Sequence, residues 1–173
     1  VRGTNLGNTL QFSSSADNSA VYGLAIINTS NGGAIVLDAG ADGVTIQGNY
    51  LGLRTDGTTM SGNSYGVLVN SANNIIGGTT ATERNVISGN ANSGVDIRDS
   101  AATRNQVLGN FIGTDATGQT ALANGRDGVA ISNAPANVVG GTAPGAANLI
   151  AFNGGDGVSV AGFSTRNDNA IRA

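Results

Sequence analysis

The chain has 173 residues, enough for one domain or one stretch of a longer array. It contains 28 Gly and 22 Asn, no Cys, His, Trp or Lys, and a net charge of −3. Those absences exclude a disulfide framework, a Cys/His metal cluster and every histidine-based catalytic set, and the lack of a basic run argues against nucleic acid as a partner.

Taken in chain order, the apolar residues come in short packets. They are Leu6-Gly7, Ile26-Ile27, Ile35–Leu37, Val44–Ile46, Val67–Val69, Ile75-Ile76, Val86-Ile87, Val95–Ile97, Val107-Leu108, Val129–Ile131, Val138-Val139, Leu149-Ile150 and Val158–Val160. Each is strand-sized, and none continues with helical spacing over ten residues. Hydrophobic residues make up 39% of the chain and charged ones 11%, the reverse of a disordered composition. No apolar run is long enough to cross a bilayer as a helix, so no membrane insertion is expected. Starting at Val1 and stopping at Ala173, the sequence reads as one segment, 1–173, of a longer protein.

The packets repeat. Asn8, Asn28, Asn49, Asn70, Asn90, Asn110, Asn133 and Asn153 each close one, at gaps of 20 to 23 residues. A longer period lies above this. Gly48-Asn49-Tyr50-Leu51-Gly52 matches Gly109-Asn110-Phe111-Ile112-Gly113 61 positions on, and Asn74–Thr79 matches Asn137–Thr142 63 positions on. A two-strand unit cannot bury its apolar face alone, so repeats of this kind stack into a solenoid. The expected fold is all-β: a right-handed parallel β-helix of about eight coils of about 21 residues, with the eight asparagines in one stacked ladder. The longer period then reads as duplicated three-coil blocks. Alternation along Val95-Asp96-Ile97 and Val158-Ser159-Val160 turns the middle residues outward. Gly66, Gly94, Gly128 and Gly157, before four of the strands, read as corner residues with positive φ.

Several motifs carry a resemblance. Asn85–Asn90 (Asn-Val-Ile-Ser-Gly-Asn), Gly94–Ile97 and Gly128–Ile131 (Gly-Val-x-Ile), 109–118 and Asn137–Thr142 resemble the right-handed β-helix repeats of the pectin-lyase-like superfamily, and especially those of bacterial secreted and surface proteins. The resemblance covers about residues 21–171. It implies an extracellular or cell-surface location and a polysaccharide or cell-surface glycan as the natural kind of partner. That superfamily holds lyases, hydrolases and epimerases beside non-catalytic stalks and adhesins. The sets that mark its enzymes include Gly-His-Gly and Arg-x-Lys in hydrolases, Trp-x-Asp-His in pectate lyases and Asp-Pro-His in epimerases. All need His, Lys or Trp, which this chain lacks.

The remaining candidates for chemistry are carboxylates and arginines. Asp96 and Asp115 are the weak catalytic candidates: one coil on from Asp96 is expected to fall near Asp115, and two carboxyls about 5 Å apart suit a retaining glycosidase. Arg98, Arg104 and Arg126 are candidate binding residues beside them, and Tyr65 is a candidate platform for a sugar ring. Asp56 and Asp115 occupy matching loops, but one carboxylate per loop does not make a calcium cage, so no metal and no cofactor are expected. The leading expectation is a non-catalytic extracellular repeat module, a stalk or adhesin segment, with end-to-end self-association through open terminal coils. The alternative is a polysaccharide-active β-helix enzyme or a fragment of one.

Overall fold

A computed structural model describes residues 7–162 and 167–173; Leu6 of the first packet lies outside the described residues. The chain winds as a parallel β-helix with three strands per coil. The first coil holds β1 (Leu10–Phe12), β2 (Ala20–Tyr22) and β3 (Ala25–Ile26); the second holds β4 (Gly33–Leu37), β5 (Thr45–Gln47) and β6 (Tyr50–Leu51). The third holds β7 (Tyr65–Val69), β8 (Ile75–Gly77) and β9 (Val86–Ile87); the fourth holds β10 (Val95–Arg98), β11 (Gln106–Leu108) and β12 (Phe111–Ile112). The fifth holds β13 (Val129–Ser132), β14 (Val138–Val139) and β15 (Leu149–Ile150), and the last described strands are β16 (Val158–Ala161) and β17 (Ala170–Ile171).

Stacking these coils makes three parallel sheets. Sheet one runs β1-β4-β7-β10-β13-β16, sheet two runs β2-β5-β8-β11-β14-β17 and sheet three runs β3-β6-β9-β12-β15. The expected fold class holds, but the expected coil does not. Successive turns of sheet one pair Leu10 with Ile35, Ile35 with Val67, Val67 with Val95, Val95 with Val129 and Val129 with Val158, so a coil takes 25 to 34 residues. The array therefore has five complete coils and part of a sixth among the described residues, not eight. The 61- to 63-residue repeat spans two coils rather than three: Tyr50 pairs with Val86, which pairs with Phe111.

Alternation does select the core as expected. Val67, Val69, Val95, Ile97 and Val129 are 0% exposed, whereas Leu68 and Ala130 between them are half-buried on the outside of sheet one. Ile46, Ile76 and Val107 fill the same space from sheet two, and Ile26, Leu51, Ile87 and Ile112 from sheet three, all 0% exposed. Each such side chain contributes about 1.5–3 kcal/mol by leaving water.

The asparagines form three ladders, one at each of three corners, rather than one column. Between sheets two and three, Asn49, Asn85, Asn110 and Asn148 stack: each amide oxygen accepts both the backbone N–H and the Nδ2 of the rung before it, at 2.9–3.1 Å. Ahead of sheet two, Asn74, Asn105, Asn137 and Asn169 stack the same way up to Asn137, whose backbone N–H donates to Asn169 Oδ1 at 2.6 Å. After sheet three, Asn63, Asn90, Asn124 and Asn153 repeat the pattern at 2.9–3.3 Å. Of the eight asparagines expected in one column, Asn49 and Asn110 share a ladder, and Asn90 and Asn153 share another. Asn8, Asn28, Asn70 and Asn133 stand outside all three. Asn28 and Asn133 instead take the left-handed backbone, at φ 63° and 55°, which Asn tolerates better than most residues.

The glycines before the sheet-one strands serve a different purpose from the expected one. Gly66, Gly94, Gly128 and Gly157 do not have positive φ. A Cβ on Gly94 would sit 2.8 Å from Ile112 Cγ2 and 3.0 Å from Asn124 Nδ2; on Gly66 it would meet Ile87 Cγ2 at 2.4 Å. Glycine is needed at Gly66, Gly94 and Gly128 because the Asn63–Asn153 ladder and the isoleucines of sheet three press against the backbone; at Gly157 an added Cβ would meet nothing nearer than Ile150 Cγ2 at 3.7 Å. Left-handed glycines instead precede ladder asparagines: Gly48, Gly89 and Gly109, at φ 67°, 73° and 63°, lead into Asn49, Asn90 and Asn110.

Candidate functional site

The candidate residues do not converge on one site. Asp96 sits in the middle of β10, 9% exposed, and its axial neighbours on sheet one are Leu68 and Ala130. Asp115 lies beyond β12, in a loop on sheet three, and is 4% exposed. The expected Asp96–Asp115 pair is therefore not formed: a coil turns through two corners between them, so they face different sides.

Each carboxylate is occupied by its own neighbours. Asp96 accepts from Arg98 Nε at 3.2 Å and forms a salt bridge with Arg98 Nη2. This hydrogen bond, the largest influence, raises the Arg98 guanidinium above its ordinary value. Tyr65, at the start of β7, lies under that guanidinium, with its ring centroid 5.3 Å from Arg98 Cζ. Three of the expected residues, Tyr65, Asp96 and Arg98, thus form a cluster on the outer face of sheet one. Arg104 lies apart, exposed on the turn between sheets one and two with φ 56°, and Arg126 is exposed on the turn entering β13.

Asp115 is the hub of its loop. Its Oδ1 accepts from Thr117 N, Thr117 Oγ1, Gln119 N and Thr120 N at 2.8–3.2 Å. Burial on its own raises this carboxyl, but the donors, led by the Thr117 hydroxyl, outweigh it and hold the group below the usual carboxylate range. The matching loop solves the same problem from another position. Asp56 accepts from Thr58 N and Thr59 N at 2.9 and 2.8 Å, and from Thr59 Oγ1 at 2.6 Å. The Thr59 hydroxyl, then the two N–H groups, lower its pKa from 3.8 to about 2.

Both loops are hairpins closed by one antiparallel bridge, Leu53 to Met60 and Thr114 to Ala121, 61 residues apart. On that offset Asp115 corresponds to Arg54, and Asp56 to Thr117. Two different positions thus supply a carboxylate to the corresponding pair of backbone N–H groups. These are turn-holding carboxylates, and no group of three potential metal ligands occurs among the described residues.

Tyr50 and Phe111, matched 61 positions apart, occupy equivalent positions outside the core. They belong to the outward column Ala25–Tyr50–Val86–Phe111–Leu149 of sheet three. Arg84, which the sequence did not single out, stacks on this column: its Cζ lies 4.0 Å from the Phe111 ring centroid and its Nε donates to Gly109 O at 3.1 Å. The 61-residue match of Tyr50 to Phe111 was the available signal, but Arg84 falls on the intervening coil, where the match is silent.

No protein-family model, curated protein or solved structure matches this chain.

Proposed function

We propose that this chain is a non-catalytic β-helix module, a rigid rod segment of an extracellular or cell-surface protein of the pectin-lyase-like type, which contacts glycans without cleaving them. The observation that supports this most is the state of its two best carboxylates. Asp96 is tied to Arg98, and Asp115 Oδ1 carries four protein donors. A general acid must hold a proton near neutral pH and a general base must have a free lone pair facing the substrate. The donors around Asp115 disfavour its protonated form, and the guanidinium bound to Asp96 occupies the edge from which it would act. The rod reading also suits the construction: three stacked sheets and three asparagine ladders give an element whose length scales with coil number.

The test is turnover. Pectate, alginate and chondroitin are incubated with the protein, with and without Ca²⁺, while unsaturated-uronate absorbance and new reducing ends are followed. Flat traces are expected. A rate abolished by Asp96→Asn or Asp115→Asn would overturn the proposal in favour of a β-helix enzyme.

A further inference from the structure

Two concavities on the outer face of sheet three lie side by side, with Gly48 and Tyr50 lining both. One, of about 350 Å³, is lined by Gly48, Tyr50, Ala81, Thr82, Arg84, Val86 and Ala116. The other, of about 320 Å³, continues past Tyr50 along Gly23, Leu24, Ala25 and Thr55. Successive rungs of one outward column line them, Val86 and Tyr50 in the first and Tyr50 and Ala25 in the second. At the interstrand spacing these three strands span about 10 Å along the axis, the reach of a disaccharide.

Both walls are fixed by hydrogen bonds. The hairpin loops dock on each other through Ala116 N to Gly57 O at 3.0 Å, and Gly57 lies against Tyr50, where an added Cβ would be 3.3 Å from the phenol oxygen. Opposite, Gly48 N donates to Glu83 O at 3.2 Å, while the Glu83 carboxylate holds the turn by accepting from Thr79 N and Thr80 N at 2.9 Å. The groove is therefore pre-shaped, and little ordering is needed when it fills.

The lining chemistry is selective. Among the lining residues Arg84 is the one charged side chain, and no carboxylate lines either concavity. Its Nε is committed to Gly109 O and its plane to Phe111, while its two terminal nitrogens donate to no acceptor among the described residues. A stacked, oriented guanidinium with free Nη groups is suited to bidentate carboxylate binding. Half-buried Tyr50 supplies a ring and a hydroxyl, and exposed Thr82 a further hydroxyl at the rim.

We infer that this groove on sheet three is a binding site for a short run of uronic-acid residues, with a sugar carboxylate on Arg84 and a sugar ring against Tyr50. This deepens the glycan-contacting part of the function proposed above and rests on it. It places the contact on a face different from the Tyr65–Asp96–Arg98 cluster.

The experiment is titration calorimetry with trigalacturonate, and with neutral galactotriose as comparison, at low salt. Wild-type protein is expected to bind the acidic trimer and to bind the neutral one more weakly by about tenfold or more, the value of one charge-assisted pair. Thr82→Glu places a like charge on the rim without touching a buried group, and Arg84→Gln removes the cation. Each is expected to weaken trigalacturonate binding by about tenfold or more. Gln106→Glu makes the same charge change on the exposed face of sheet two and is expected to leave binding unchanged. Absence of wild-type binding, equal binding of the two trimers, or equal loss in Gln106→Glu would overturn the site. Unsaturated product appearing in the same mixtures would overturn the non-catalytic reading while leaving the site standing, so the two failures are distinct.

Discussion

Replacing Asn90 by alanine is the sharpest test of what holds this solenoid together. Asn90 is 2% exposed and stands inside the ladder after sheet three. Its Oδ1 accepts from Asn63 N and Asn63 Nδ2, both at 3.1 Å, and its Nδ2 donates to Leu51 O at 3.0 Å and Asn124 Oδ1 at 2.9 Å. Truncation does not orphan all four partners. Leu51 O still accepts from Ser88 N at 3.1 Å, and Asn124 Oδ1 still accepts from the residue-90 backbone N–H at 3.1 Å. The Asn63 backbone N–H loses its acceptor outright and Asn63 Nδ2 keeps only its bond to Ile26 O at 3.0 Å, so two N–H groups are left unmatched; Asn63 is itself 3% exposed, so water does not readily replace the lost oxygen. At about 1–3 kcal/mol for each buried unsatisfied group, the expected loss is about 2–6 kcal/mol. Asn92 is the comparison: half-buried, it donates from Nδ2 to Ser64 O and Oγ at 3.2 and 3.1 Å, and Asn92→Ala is expected to cost about 0.5–1 kcal/mol. Urea unfolding followed by far-UV circular dichroism measures the difference. Hydrogen exchange at the Asn63 amide provides a local readout, because solenoids can open coil by coil. Should Asn90→Ala and Asn92→Ala fall within about 0.5 kcal/mol of each other, with the Asn63 amide still protected, the ladder is not a stabilising element and the reasoning fails.

Two further outcomes follow from packing and titration. Gly94→Ala is expected to cost about 1–3 kcal/mol by overpacking, because its Cβ meets Gly128 O and Ile112 Cγ2, both at 2.8 Å. Gly157→Ala, whose nearest neighbour is Ile150 Cγ2 at 3.7 Å, is expected to stay within about 0.5 kcal/mol of wild type; equal thermal shifts in the two variants would refute the steric account. Asp56 binds its proton more weakly in the folded chain, its pKa falling from 3.8 to about 2, so its contribution is complete above about pH 4 and is lost as the pH falls through about 2. The stability gap between wild type and Asp56→Ala is therefore expected to narrow between pH 5 and pH 2 in a series of denaturation curves, and a gap independent of pH would count against the Thr58–Thr59 hydrogen bonds as its source.

The packets, their alternation and the abundance of asparagine are local properties, and they determined a parallel solenoid with an apolar interior and stacked amides. Val95-Asp96-Ile97 shows its inward and outward faces in three letters, and the structure agrees. What the sequence did not determine was the pitch. From Asn28 to Asn153 the seven asparagines recur every second strand. With three strands per coil, that step is two-thirds of a turn, so Asn49, Asn70 and Asn90 visit successive corners instead of stacking. Three such steps make two coils, which is why the 61- to 63-residue repeat was visible and its coil count was not. Residue counting registers the hairpin loops at 53–60 and 114–121 as length, whereas sheet pairing ignores them and matches strand to strand. The rungs that complete the ladders, such as Asn85 and Asn124, follow from that pairing alone. The same pairing separated Asp96 from Asp115 and carried Arg84 onto Phe111. Which side chains meet across a solenoid depends on how many strands close one turn, and closure satisfies all three sheets at once; no single stretch of the chain encodes it.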